Sequence, residues 1–458
     1  MLAPQRRSVP AAGERAPAQP RALAAILVLA VVAATTVGVQ VQRHQHVSAY
    51  LHGAGVAIGP NGAVELLPVG TPASALLPGS RVLAKQGAEM LAFATAQRAW
   101  VAAGTVPGEG TRWESMARDA LLDLHTLTLP SGATPAGWAR KWRYVWPRDA
   151  AFVAAAYAAT GHLGDARAEL AYLQRVQGPS GVFEARYVLD GSGPPDGRWA
   201  QSDSTGWVLW ATGRLARAVP ALPERVAVVG GLRSLVERST ATLLELTDAG
   251  RALPPPSPDY RELPEDATTL GISGPFLAGL QAAPGLLRLL GDTAEARAAA
   301  RAAARFTARV TSTYGPTYPR IAGTHVGDVS VTFVLPPFTG EALPGAALAA
   351  TQTAGRLVRP AGGLGPGTDW RDHTISWTAE TALFALADAT NGDPQQAAHW
   401  MDWLDTHRTA VGSLPEKVDG SGRPAGSAPL AWTDALVLLT LARLTRTPGA
   451  GQPLAAHH

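Results

Sequence analysis

"KWRYVWPRDAAFVAAAYAATGHLGDARAELAYLQRV", residues 141–176, contains the unit from which the chain is built: an aromatic loop, a helix, a short turn and a second helix. Trp142, Tyr144 and Trp146 crowd the loop, and Pro147 opens the first helix with Arg148 and Asp149 in its first turn. Proline at the first helical position gives up no needed N–H, and aspartate there is favoured by the positive end of the helix dipole. Those local effects account for Pro-Arg-Asp. Read locally, the loop is an aromatic staple with a surface ion pair. Flat aromatic faces beside a fixed Arg and Asp also suit a polyhydroxylated ring, apolar on its faces and hydrogen-bonding at its edge.

Outward from this unit, apolar residues recur with a period near 3.6. A first helix is predicted at 85–104. Twelve segments follow, at 115–127, 148–160, 163–176, 203–218, 226–248, 268–290, 292–312, a short one at 327–335, 340–354, 375–390, 394–408 and 431–446. Short turns such as "GHLG" (161–164) and "NGDP" (391–394) close helical hairpins, whereas long Gly/Pro/Trp-rich loops precede the helices near 148, 203, 268, 375 and 431. The pattern implies an all-α chain of six hairpins closed into a double ring. Its inner helices run in one direction and gather their long loops at one mouth.

Before the ring, Arg6, Arg7, Arg15 and Arg21 precede an apolar run from Ala22 to Val39. This run is longer than the apolar part of a signal peptide, roughly 7–15 residues, and no convincing small-x-small site precedes a polar mature start. The expected organisation is a basic cytoplasmic tail (1–21), a transmembrane anchor (22–41), a stalk with a short β segment (42–84), the helical domain (85–447) and a C-terminal tail (448–458). The charge bias places the domain outside the cytoplasm, on the cell membrane, or secreted if the segment is cleaved. Within 42–84, Asn61-Gly62 between β-prone runs predicts a hairpin, and the neighbouring glycines do not fit a dinucleotide fingerprint. The chain has no cysteine, a net charge of +3, no basic run interleaved with aromatics, and eleven histidines without HExxH spacing. Disulfides, thiolate chemistry and nucleic-acid binding find no support, and a metal enzyme is disfavoured.

Charged residues are only 16% of the chain, so carboxylates in the long loops stand out. The loop before 203 carries Arg186, Tyr187, Trp199, Gln201, Asp203 and Trp207, with Asp203 or Ser204 read locally as a helix cap. The loop before 268 carries Asp259, Glu262, Glu265 and Asp266, and the loop before 431 carries Glu416 ahead of Trp432. Each glutamate alone is a solvated loop residue. The shared parity of these loops brings Asp149, Glu262 and Glu416 to one mouth. Paired carboxylates with aromatics and an Arg-Asp pair suit glycoside hydrolysis, one as acid to the leaving oxygen and one as base to water. No G-x-S-x-G elbow supports serine chemistry.

In order, "RYVWPRDAAFVAAAY", "QSDSTGWVLWA", "TLGISGPFLAGL", "VSVTFVLPPF" and "SLPEKVDGSGRPAGSAPLAWTDA" resemble the catalytic domain of glycoside hydrolase family 15, the glucoamylase-like family, over about residues 115–446. The resemblance implies an (α/α)6 barrel that hydrolyses terminal α-glucosidic bonds of an α-glucan or α-glucoside with inversion, without a cofactor. It makes Glu416 the base and Glu262 the acid. Arg148, Asp149, Trp146 and Trp432 then grip and flank the terminal sugar, with Tyr144, Gln201 and Asp203 completing the sugar-binding set. The two carboxyl groups are then expected about 6.5–9.5 Å apart. One position departs from the pattern: Arg261 stands before Glu262 where the family commonly has tryptophan. A cation there favours the ionised carboxylate, the opposite of what an acid needs, unless Arg261 points outward or Glu265 takes the role. Rival readings are a trehalase or α-1,6-glucosidase on the same barrel, and a noncatalytic membrane-anchored glycan binder. A polysaccharide lyase lacks the clustered tyrosine, histidine and arginine it needs.

Overall fold

The computed structural model describes residues 50–445. The tail and anchor read in 1–41 and the tail at 448–458 lie outside the described residues. Thirteen α-helices follow an antiparallel hairpin of β1 (Gly55–Ile58) and β2 (Val64–Leu67) among the described residues. They are α1 (Ala88–Ala103), α2 (Glu114–Leu127), α3 (Pro147–Ala159), α4 (Leu163–Val176), α5 (Asp203–Ala218), α6 (Leu222–Gly231) and α7 (Arg233–Leu246) in the first half. The second half has α8 (Leu270–Leu289), α9 (Thr293–Tyr314), α10 (Ala346–Leu357), α11 (Thr378–Thr390), α12 (Pro394–Thr406) and α13 (Ala431–Leu444). A three-stranded antiparallel patch, β3 (Ser376–Trp377), β4 (Lys417–Val418) and β5 (Pro424–Ala425), ties two loops together.

The inner ring is α3, α5, α8, a 3-10 turn at Val329–Val334, α11 and α13, each packed on the next, with α13 closing back on α3. Helices α4, α7, α9, α10, α12 and α2 pack outside them. The helical pattern read from the sequence therefore forms the double ring, with two changes. The segment expected at 226–248 is two helices, α6 and α7, because Gly230 and Gly231 interrupt it and glycine is a poor helix former. The fourth inner member is the 3-10 turn: its β-branched residues and the following Pro336-Pro337 stop a longer helix, and Asp328 caps it by accepting from Ser330 N–H at 2.8 Å.

Inner helices must approach closely around a small ring, and their composition allows it. Every residue of α3 from Pro147 to Ala158 is buried. At the α5–α8 crossing, a Cβ on Gly206 would lie 2.0 Å from the Pro275 carbonyl oxygen, so only glycine fits there. Helix α8 is long and apolar enough to cross a membrane, yet it is a core helix of the ring with 83% of its apolar window buried.

Residues 50–84 do not stand off as a stalk. Val56 belongs to the same core as the ring helices, and the backbone of Tyr50–His52 pairs with Gly426. Apolar residues Ala54, Ala57 and Leu67 pack with Val411, and that burial holds the segment against the barrel. At the C-terminal ends of the inner helices, a cavity of about 410 Å³ is lined by Arg214, Arg217 and Arg443 among others. Cations suit the negative ends of the helix dipoles there.

Among the raised carboxyls, four that are buried and the half-buried Asp388 make stability depend on pH. Glu169 on α4 accepts from the Thr134 hydroxyl, and burial pushes it up to about 8. Glu380 is likewise raised to about 8, Asp388 to about 7, and Asp149 and Asp203 to about 6. A carboxyl whose folded pKa lies above its unfolded value holds more protons when folded, so stability is highest near or below the unfolded value and falls as pH rises through the folded one. Melting temperature is thus expected to fall by several degrees between pH 5 and pH 8. Glu169→Gln removes one titration and should flatten that fall; equal slopes in a thermal-melt series would contradict it.

Candidate active site

The N-terminal ends of the inner helices carry the candidate residues to one mouth. Arg148 and Asp149 occupy the first turn of α3, Gln201 and Asp203 the start of α5, and Trp432 the start of α13. The backbone bridge Val145–Tyr187 binds the loop before α3 to the loop before α5, and Phe183–Gln201 closes the latter loop on itself. Between β3 and β4, Trp377 pairs with Lys417, and Thr378 at the start of α11 donates its N–H to the Glu416 carbonyl at 3.1 Å. The Glu416 loop is thereby fixed to the fifth hairpin.

Arg148 is the hub. Its guanidinium lies 3.2 Å from Asp149 Oδ1, 3.5 Å from Asp203 Oδ2 and 4.0 Å from Glu262 Oε1, donates to Gln201 Oε1 at 3.3 Å, and stacks 5.0 Å from the Trp432 ring centre. Asp149 and Asp203 are pushed up to about 6 first by burial, with Arg148 pulling against it. Buried carboxylates around one cation form a rigid polar floor.

Glu262 sits at φ 56°, in the left-handed region, at the end of a turn in which its N–H donates to the Asp259 carbonyl. Its Oε1 accepts from the Trp146 indole N–H and its Oε2 from Arg198. The cation before it in sequence is elsewhere. The Arg261 side chain, 4% exposed, pairs with Asp328 at 2.5 Å and Asp369 at 2.9 Å, so Arg261 points away from Glu262. Arg198, from the loop before α5, takes the place at the carboxylate that Arg261 was expected to contest. Its neighbour Trp199 is 63% exposed. Glu265 binds Arg320 at 2.6 Å, which also holds Asp259 at 2.7 Å, and burial raises its pKa against that pull. Tyr144 joins the mouth indirectly, because the Arg186 guanidinium covers its ring at 4.3 Å and reaches Trp146 at 5.0 Å.

Glu416 is buried. Lys417 Nζ lies 3.1 Å from its Oε1, and Ser427 N–H donates to its Oε2 at 3.4 Å. Lys417 also stands 4.4 Å over the Trp377 ring, so its charge is fixed. One acid escaped the reading of the sequence. Glu380, in the first turn of α11, is buried and faces the charges of Glu416, Lys417 and Arg148; burial first and Glu416 next raise it to about 8. Its only sequence signal, a glutamate near a helix start, is that of an ordinary dipole partner. Among the described residues no group of three His, Asp or Glu is arranged to hold a metal ion.

No sequence-family profile matches this chain, and no curated protein sequence does. Solved structures do. A glycosidase superposes with TM-score 0.60 at 20% identity over 80% of this chain and 100% of its own, and a glycosidase in complex with glucose has the same values. A bacterial glucoamylase complexed with acarbose gives 0.61 at 16% identity, over 76% of this chain and 58% of its own. Glucoamylase from Saccharomycopsis fibuligera gives 0.56 at 14% identity, over 68% of this chain and 89% of its own. Identities this low carry the fold and no further: the chain has the glucoamylase-like helical toroid of these enzymes.

Proposed function

We propose that this protein is an inverting, exo-acting α-glucosidase of glucoamylase type, releasing β-glucose from an α-glucan or α-glucoside. The observation that carries it is the convergence of carboxylates from two separate loops on one floor. Glu262 reaches Arg148 from the loop before α8, and Glu416, from the loop before α13, stands beside Glu380, which feels Arg148 as well. Arg148 and Asp149 hold the terminal ring between Trp146 and Trp432. Glu262 gives its proton to the glycosidic oxygen as the bond from that oxygen to the anomeric carbon breaks. Glu416 takes a proton from water, whose oxygen bonds to the anomeric carbon from the opposite face. For this, substrate displaces Arg198 from Glu262 Oε2. Anchoring to the membrane with the barrel outside the cytoplasm belongs to the same proposal and rests on the basic flank and apolar run of 22–39.

The engagement of both Glu262 oxygens favours one second reading, a glycan binder that retains the sugar grip without turnover. Both are tested by incubating the detergent-solubilised chain with maltose, isomaltose, trehalose and soluble starch while following anomeric protons by NMR. Release of β-glucose supports the hydrolase and names the linkage, separating glucoamylase from trehalase and α-1,6-glucosidase. Binding without release supports the binder. Initial release of α-glucose contradicts inversion.

Glu380 adds a pH expectation. Its carboxyl loses its proton as pH rises through about 8 and then sets a second negative charge beside Glu416. Glu380→Gln, which cannot take that charge, is expected to differ from the wild type only on the alkaline side of the pH–rate profile. Superimposable pH–rate profiles would remove Glu380 from the account.

A further inference from the structure

The segment before the barrel reaches the catalytic mouth. His52 N–H donates to the Gly426 carbonyl at 2.8 Å, and Gly426 N–H donates to the Tyr50 carbonyl at 3.0 Å, so a strap clasps Gly426 from both sides. Gly426, at φ 75°, lies flat against the Glu416 side chain, where an added Cβ would stand 2.3 Å from Oε2 and 2.8 Å from the Glu416 Cβ. Behind the strap, the Thr409 hydroxyl donates to the Ala54 carbonyl at 2.5 Å, and Gly55 abuts Val411 and Ser413. The strap is therefore braced against the chain that leads into Glu416.

The exposed side chain of His52 lies on the side of Glu416. The His52 ring packs 5.1 Å from the Trp142 ring at 39°, and it feels the charges of Glu416, Lys417 and Lys141. Burial lowers its pKa against the pull of Glu416, which keeps the imidazole neutral and able both to donate to and accept from hydroxyl groups. The depth of these groups assigns them different rings of a substrate. Arg148 and Asp149 are buried at the floor, where an exo-acting site holds the terminal ring, whereas His52 is exposed at the rim, where the following ring leaves.

We propose that the strap Tyr50–Ala54 is a wall of the active site: it positions Glu416 through Gly426, and its His52, packed on Trp142, determines specificity for the sugar on the leaving-group side. This rests on the glycosidase reading above. Calorimetric titration of the full chain carrying Glu416→Gln, which binds sugar without turning it over, with glucose, maltose and isomaltose separates the two. In His52→Ala, affinity for the bound disaccharide is expected to weaken by about tenfold while glucose affinity stays within about twofold, and His52→Phe, which keeps a flat ring, recovers part of the loss. Equal effects on glucose and disaccharide, or none, would overturn the role of His52 while leaving the glycosidase reading intact. A chain with His52 intact that binds none of the three sugars overturns that reading and the proposal together. Gly426→Ala is expected to lower kcat by about tenfold or more with KM and glucose affinity nearly unchanged, because the nearest atoms that the methyl group meets all belong to the Glu416 side chain, and to lower melting temperature as well, because alanine is strained at φ 75°. A change confined to KM or to melting temperature would make the strap a merely structural brace.

Discussion

Glu416→Gln is expected to lower turnover by about 10²- to 10⁴-fold, the usual contribution of a positioned general base, while glucose affinity is retained. The substitution keeps the shape of the side chain. Glutamine's carbonyl oxygen can still accept from the Ser427 N–H or from Lys417, and Lys417 stays over the Trp377 ring. What is lost is the ability to take a proton from water. Chromatographic assay of glucose release, paired with calorimetric titration of glucose, reads both quantities. A variant that turns over at the wild-type rate would remove Glu416 as base, and one that also loses glucose affinity would show that Glu416 holds sugar.

Removing the hub has a different signature. Arg148→Ala is expected to abolish detectable glucose binding and to cost about 3–5 kcal/mol of stability, the usual result of stranding a buried charge partner. Asp149 and Asp203 face this guanidinium and are already raised to about 6 while it is present. Without it both are pushed further up. Raised carboxyls lose stability as pH rises, so the deficit of the variant should be larger at about pH 7.5 than at about pH 5. Urea unfolding at the two pH values checks the sign. A deficit independent of pH would mean that the cost is lost packing over Trp432, not charge.

Local physics wrote much of this molecule legibly. Apolar periodicity placed the helices from Glu114 to Leu444 within a few residues, since each α-helix must turn one face to a core. The alternation of short turns with long loops implied which helix ends share a mouth. Pro147, Arg148 and Asp149 were readable because a helix start has its own chemistry, and Glu416 because carboxylates are scarce in the loops. Where the reading failed locally, it failed for local reasons of comparable size: two glycines split α6 from α7, and a β-branched run before two prolines became the 3-10 turn.

Contacts between residues far apart in the chain belonged to the tertiary structure alone. Adjacency set Arg261 beside Glu262, but the folded chain turns Arg261 to Asp328 and Asp369 and brings Arg198 to Glu262 across 64 positions. Glu380 becomes a partner of Glu416 only because β3 pairs with β4, and His52 reaches the mouth only because its strap clasps Gly426. Periodicity reports the face a residue turns to the core, determined by neighbours three and four positions away. Which distant charge stands opposite a carboxylate is decided by loop paths and burial, quantities that exist only once the ring has closed.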